Sequence, residues 1–254
     1  MADQSPPDPV FVSVPERGRR FTAERRVRWG DTDRHRRLRL DAVARYLQDV
    51  ANDDTRDAGH DPFAPWVVRR TSISVERPVA LGELVTLTTF SGGHGSRWAE
   101  RRTSIVGSDG GHVEAAALWV FVDPVSGRPA RLTAEFHAAY DEAGGGREVS
   151  ARLRHPPPPD DAVGRPWPLR ATDFDGLGHV NNAATWAAVE DELDRRGLVP
   201  VRAQLEYPDA IAPDVEVRLV TDDGAEGALR LWFVVDAKVR ASAVVQARPA
   251  TQAH

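Results

Sequence analysis

The chain contains no cysteine. That excludes disulfides, a thiolate nucleophile and cysteine-ligated zinc or iron–sulfur centres. Lysine is nearly absent too: Lys238 stands alone, and arginine supplies the remainder of the 33 basic residues. No run approaches the roughly 18 apolar residues of a membrane span. The opening residues, MADQSPPDP, lack the charged and apolar regions of a signal peptide, so a cytoplasmic location is expected. A strong charge of one sign is also missing, with 33 basic against 38 acidic residues and a net −5. With no DNA-binding motif either, nucleic acid is not an expected partner. What remains is an ordinary globular composition, 41% hydrophobic and 28% charged over 254 residues. The length suits one large domain or two of about 125 residues.

Residues 1–17 are proline-rich and aperiodic, which predicts a mobile tail. Residues 141–164 hold Gly144-Gly145-Gly146 and the run Pro156 to Pro159, which predicts an extended linker. The chain then divides into a front module, 18–140, and a back module, 165–250. The two read as diverged copies. RVRWGDTDRHRRLRLDAVARYL in front and WPLRATDFDGLGHVNNAATWAAV behind share one order: short strand, D-x-D, loop, helix. Asp31 and Asp33 match Asp173 and Asp175 at a constant offset of 142.

The spacing of Leu40, Val43, Leu47 and Val50 predicts a helix from Leu40 to about Val50 with one apolar stripe. Ala183, Trp186, Val189 and Leu193 do the same for a helix near 182–193, with Asn181 or Asn182 as its N-cap. Strand patterns follow each helix, at 66–75, 84–90, 97–106 and 112–122 in front and at 201–207, 215–221, 228–235 and 238–245 behind. A helix with one apolar stripe must bury it against a sheet. The fold class expected is therefore α+β: a helix wrapped by an antiparallel sheet, the hot dog arrangement, present twice with the sheets joined edge to edge.

The segment richest in chemistry is Asp173-Phe174-Asp175-Gly176-Leu177-Gly178-His179-Val180-Asn181-Asn182. Gly176 and Gly178 allow a tight loop and close approach of a ligand. Asp175 and His179 stand four residues apart at a helix start, where unpaired N–H groups and the dipole favour a developing oxyanion. A carboxylate there could attack a carbonyl or activate water.

This segment resembles the hot dog thioesterase signature D-x-D-x-x-G-H-V-N-N, and the doubled arrangement resembles acyl-acyl carrier protein thioesterases. GSRWAERRTSI, ALWVFVDPVSGRPARL and RLDAVARYLQDVA resemble the bacterial members. The resemblance covers roughly residues 20–250. It implies hydrolysis of an acyl thioester of acyl carrier protein or CoA, with no metal or redox cofactor, by a monomer or homodimer. It implies catalytic roles for Asp175 and His179, supported by Asn181 and by Glu190, which stands where single hot dog thioesterases carry a helix Glu. It places the oxyanion at a backbone N–H near Asn181 or Asn182, substrate contacts at Trp186 and Gly178, and the acyl chain in a slot of the front half. Four positions depart from the plant-type pattern. Leu177 replaces an Asn and Thr185 a Tyr. Ala210 and Ile211, after Leu205-Glu206-Tyr207, stand where the catalytic Glu and Cys would fall.

Simpler readings stand beside these. Asp175 and His179 could be a capping pair, Asn181 only the helix cap, and Glu190 part of a solvated Glu190-Asp191-Glu192 face. Trp29, Trp66, Trp98, Trp119 and Trp186 fit core or slot lining. Arg37 occupies the front copy's His position, so the front site reads as decayed. Residues 17–39 hold ten arginines against Glu24, Asp31 and Asp33, a local +7; this could steer an acidic carrier or simply face water. A non-catalytic acyl-binding protein is the alternative function. A hydratase fits less well, because its D-x-N-P-x-H spacing and proline are missing.

Overall fold

The computed structural model describes residues 11–224 and 227–250. These fall into two compact units, 11–152 and 153–250. Most of the expected tail lies outside the described residues. Residues 11–17 carry neither helix nor strand, but they are not loose: the Arg102 guanidinium lies 4.5 Å over the Phe11 ring.

The front unit opens with β1 (Arg20–Arg26), followed by α1 (Leu40–Asp57), β2 (Trp66–Arg77), β3 (Leu84–His94), β4 (Trp98–Gly107), β5 (His112–Phe121) and α2 (Ala134–Gly144). Its strands pair antiparallel in the order β1-β3-β4-β5-β2. The stripe Leu40, Val43, Leu47 and Val50 is buried, as the spacing predicts. The helix runs seven residues beyond Val50, because Asp54 turns inward (1% exposed) and is held by Arg19 Nε at 2.7 Å, by Arg101 and by the Tyr140 hydroxyl at 3.1 Å.

The back unit repeats the plan with β6 (Arg165–Trp167), α3 (Asn182–Arg195), β7 (Leu198–Glu206), β8 (Val217–Asp223), β9 (Leu229–Val235) and β10 (Lys238–Pro249). Its order β6-β8-β9-β10-β7 is the front order element for element. Ala183, Trp186, Val189 and Leu193 are at most 3% exposed. Residues 153–156 are anchored rather than free. Glu206 of β7 accepts the Arg154 N–H at 2.9 Å and the His155 N–H at 3.1 Å, and the Trp232 indole donates to Pro156 O at 2.8 Å.

Helix α2 takes the first four residues of the expected linker 141–164. Thr133 caps it through Phe136 N–H at 3.2 Å, and Gly145, at φ 57°, closes its C-terminus. The glycine run marks a helix end rather than a spacer.

Candidate active site

The signature segment is built as a short hairpin ending on a helix. Ala171–Asp173 form one 3-10 turn, and Asp173 closes it by accepting the Arg170 N–H at 2.8 Å. Asp173 is 2% exposed and also pairs with the Arg170 guanidinium at 2.8 Å, so it is a structural group. Phe174 and Val180 then form a bridge, with the Asp175 N–H donating to His179 O at 3.0 Å and the Gly178 N–H to Asp175 O at 3.0 Å. Gly178 sits at φ 77°, the left-handed conformation its type tolerates.

Asp175 is half-buried and accepts the Leu177 N–H on Oδ1 at 2.9 Å, an Asx turn. His179 is exposed. Among the described residues no hydrogen bond or ion pair joins the Asp175 carboxylate to the His179 imidazole. Asn181 is the N-cap of α3, its Oδ1 accepting the Ala183 N–H at 2.8 Å. Its own N–H donates to Asp173 O at 2.8 Å. The Asn181 N–H is thus occupied, and Asn182 is the first helical residue. Tyr207, just past β7, donates its hydroxyl to Asn182 O at 3.3 Å.

Two other expectations change. Glu190 is 7% exposed, so it is not part of a solvated face; Asp191 alone of that trio is exposed. Glu192 is also buried and gathers Arg165 at 3.2 Å and Arg196 at 2.7 Å. Trp186 is wholly buried, and its indole N–H meets no acceptor among the described residues. An unmet buried donor of this kind costs about 1–3 kcal/mol. Trp29 is neither core nor lining: it is 73% exposed, with the Arg36 guanidinium 6.0 Å from its ring.

The segment that the resemblance assigned to a second acid lies beside the signature loop, since the Val180 N–H donates to Ile211 O at 2.9 Å. It brings Ala210 and Ile211 there and no acid. The nearest carboxylate along the chain, Asp209, is committed to Arg240. Pro168, Leu169, Ala171, Phe174, Asp214 and Val215 line an open depression of about 610 Å³ next to the loop.

The front unit carries the same backbone at the 142-residue offset, with a different chemical outcome. Thr32 bridges Leu38, the Asp33 N–H donates to Arg37 O at 2.9 Å, and the Arg39 N–H to Asp31 O at 3.0 Å. Here Arg37, 9% exposed, donates its Nε to Asp33 Oδ2 at 3.1 Å. The front carboxylate is neutralised in place. Two adjoining cavities of about 150 and 250 Å³ open elsewhere in this unit, sharing Thr55, Trp66, Phe136 and Tyr140 among their lining. Trp119 lines the smaller one. Much of the local +7 is spent internally: Arg19, Arg25, Arg37 and Arg39 pair with Asp54, Asp53, Asp33 and Asp41.

Comparison with known proteins agrees with this doubled plan. Residues 18–140 match the family model described as the acyl-ACP thioesterase N-terminal domain. The chain belongs to the acyl-ACP thioesterase family. The class of reaction that goes with this family is thioester hydrolysis. The uncharacterized protein Rv2001 of Mycobacterium tuberculosis is 33% identical over 246 residues, covering 94% of this chain and 96% of its own. The 12:0-ACP thioesterase from Umbellularia californica superposes with TM-score 0.74 at 20% identity, covering 91% of this chain and 97% of the other. An acyl-ACP thioesterase from Bacteroides thetaiotaomicron gives 0.72 at 16% identity, covering 90% and 98%. At such identities these likenesses establish the family's double hot dog fold for this chain. No helix among the described residues is long and apolar enough to cross a membrane.

Proposed function

We propose that the protein hydrolyses acyl thioesters of acyl carrier protein at the Asp175/His179 turn of the back unit. One observation carries the reading. Two turns share one hydrogen-bond pattern, and among the described residues only the back one keeps its second carboxylate outside an ion pair, four residues before an exposed His179 and close to a helix N-terminus. Asp175 takes the proton of a water whose oxygen attacks the thioester carbonyl. The first turn of α3, at Asn182, faces the oxyanion that forms, and its dipole favours that charge. Collapse breaks the carbon–sulfur bond, and the proton leaves with the thiol. His179 orients the water or the carboxylate; Gly178 lets the loop close tightly around the carbonyl. The departures at Leu177, Thr185 and Ala210 leave this shorter arrangement in place of the plant-type one.

The test is fatty acid release from acyl-acyl carrier protein and acyl-CoA, by wild type and by Asp175→Ala. Loss of a positioned base is expected to slow turnover by about 10²–10⁴-fold, with the carrier protein substrate preferred. Equal rates in the two proteins would overturn the site. Tight acyl-thioester binding with no turnover in wild type would replace the reading by a binding protein, which the lack of an Asp175–His179 hydrogen bond among the described residues also suits.

A further inference from the structure

Away from that turn, the front unit gathers two imidazoles and a carboxylate with no assigned role. His94 ends β3; His137 and Asp141 lie one helical turn apart on α2. Their ligand atoms all fall within 4.8 Å of one another. His94 Nε2 is 3.1 Å from Asp141 Oδ1, and His137 Nδ1 is 3.0 Å from the same oxygen. We propose that His94, His137 and Asp141 form a divalent transition-metal site that pins α2 to β3.

The argument rests on where the protons can be. The backbone oxygen of Gly95 can only accept, so His94 Nδ1, 3.0 Å from it, must be the N–H nitrogen. In the neutral ring Nε2 then carries a lone pair, and that lone pair faces a carboxylate oxygen. Two acceptors at 3.1 Å require a positive centre between them: either a second proton on His94 or a metal ion. A backbone carbonyl that fixes one ring nitrogen and aims the other is the usual outer support of a metal-bound histidine.

The scaffold is prepared in the same sense. A bulge between Ser91 and Gly93 interrupts the β3–β4 register just before His94 and redirects the strand end. The His94 N–H donates to Arg147 O at 3.1 Å, which fixes the backbone of this ligand. Gly93, at φ 123°, allows the Arg147 carbonyl to come close, since a Cβ there would lie 2.4 Å from it. A tetrahedral ion with bonds of about 2.0–2.1 Å separates its ligands by about 3.3 Å, close to the two short edges here. Two imidazoles and one carboxylate suit zinc, cobalt or nickel better than magnesium or calcium, which prefer all-oxygen sites. The ligands are partly exposed, so an ion enters from solvent and keeps an open position for water. The consequence is mechanical, because α2 carries Phe136 and Tyr140 to the front cavities.

The experiment uses the untagged full-length chain at neutral pH, freed of metal by chelation and titrated with Zn²⁺ by calorimetry and with Co²⁺ by visible absorption. One equivalent is expected to bind below about 100 μM, with a Co²⁺ ligand-field band of tetrahedral or five-coordinate intensity and a rise in Tm. His137→Ala and Asp141→Asn, both at partly exposed positions that leave the fold intact, are expected to weaken binding more than about tenfold and to cancel the rise in Tm. No binding to wild type in this range, or unchanged binding in both variants, overturns the site.

Discussion

The two D-x-D turns share a backbone and divide its uses. Both have the 3-10 turn closed by the first Asp, the bridge across the loop, the Asx turn on the second Asp and the N–H to the first Asp's carbonyl. The side chains then part company. In front, Arg37 ties Asp33, Arg39 and Arg45 clamp Asp41, and Asp31 takes the Tyr46 hydroxyl at 2.8 Å. Behind, the residues at the offsets of Arg37, Arg39, Asp41, Arg45 and Tyr46 are His179, Asn181, Ala183, Ala187 and Ala188. One copy of the module has filled its turn with charge pairs. The other keeps the Arg170–Asp173 pair but lacks the partners around its second Asp and the helix N-terminus. On the proposed function, a duplicated fold places stability in one copy and chemistry in the other.

The sharpest way to break this comparison is to make the same change in both turns. Asp175→Asn is expected to lower thioester hydrolysis about 10²–10⁴-fold with little change in Tm. Asp33→Asn is expected to leave turnover within about twofold and to cost about 1–3 kcal/mol, because it takes the charged partner from the buried Arg37 guanidinium. Steady-state rates and urea unfolding on both variants decide it. If Asp33→Asn removes activity, the front turn is not decayed and the division of labour fails.

The clamp on Asp41 gives the comparison a pH signature. Burial works against its charge, yet Arg39, at 2.7 Å, and Arg45, at 2.6 Å, hold the carboxyl below its ordinary range. Such a group contributes stability that is fully present above the unfolded value, near 4, and is lost as pH falls through the lower folded value. Asp41→Asn should therefore cost about 1–3 kcal/mol at neutral pH. The gap to wild type should narrow steadily below about pH 4. A gap that stays constant from neutral pH into that range would show that the clamp acts through packing and not through charge. Ala183→Asp in the back turn gains no such partners and should show no matching rise in stability.

Both helices, all eight strands that follow them and the duplication were legible because each rests on local periodicity. Leu40, Val43, Leu47 and Val50 identify a face wherever the helix sits. Helix α2 was hidden by its surroundings. Its stripe Phe136, Tyr140 and Ala143 is short, and the glycine run after it imitates a linker. Thr133 as N-cap with Glu135 in the first turn was the available signal. The Asn181 cap and the tight turn that carries Asp175 and His179 were readable from one contiguous motif. The sequence could not tell that the Asn181 N–H is consumed by Asp173 O, that Glu190 is buried or that Tyr207 reaches Asn182. Those facts depend on which long-range neighbour arrives. The metal-site candidate is beyond local reading for the same reason, since His94 lies 43 residues before His137.

The smallest expected effect concerns the backbone that both turns share. Gly178 sits at φ 77°, and its counterpart Arg36 holds φ 65° without the freedom of glycine. A left-handed residue with a Cβ costs about 1–2 kcal/mol, less the entropy that glycine loses on folding. Nothing lies within 4 Å of a Cβ built on Gly178, so Gly178→Ala introduces conformational strain alone and should cost about 1 kcal/mol. Arg36→Gly should return a few tenths of a kcal/mol to about 1, reduced by loss of the exposed contact with Trp29. Thermal unfolding of the two single variants and the double variant measures both signs at once. The turns lie in different units, so the two changes should add to within about 0.5 kcal/mol. Equal and opposite shifts would mean that the front turn keeps its geometry against strain because Arg37 and Asp33 hold it. A Gly178→Ala variant that loses activity far beyond its loss of stability would mean that the back turn needs glycine for substrate approach, and that the two copies diverged in backbone freedom as well as in charge.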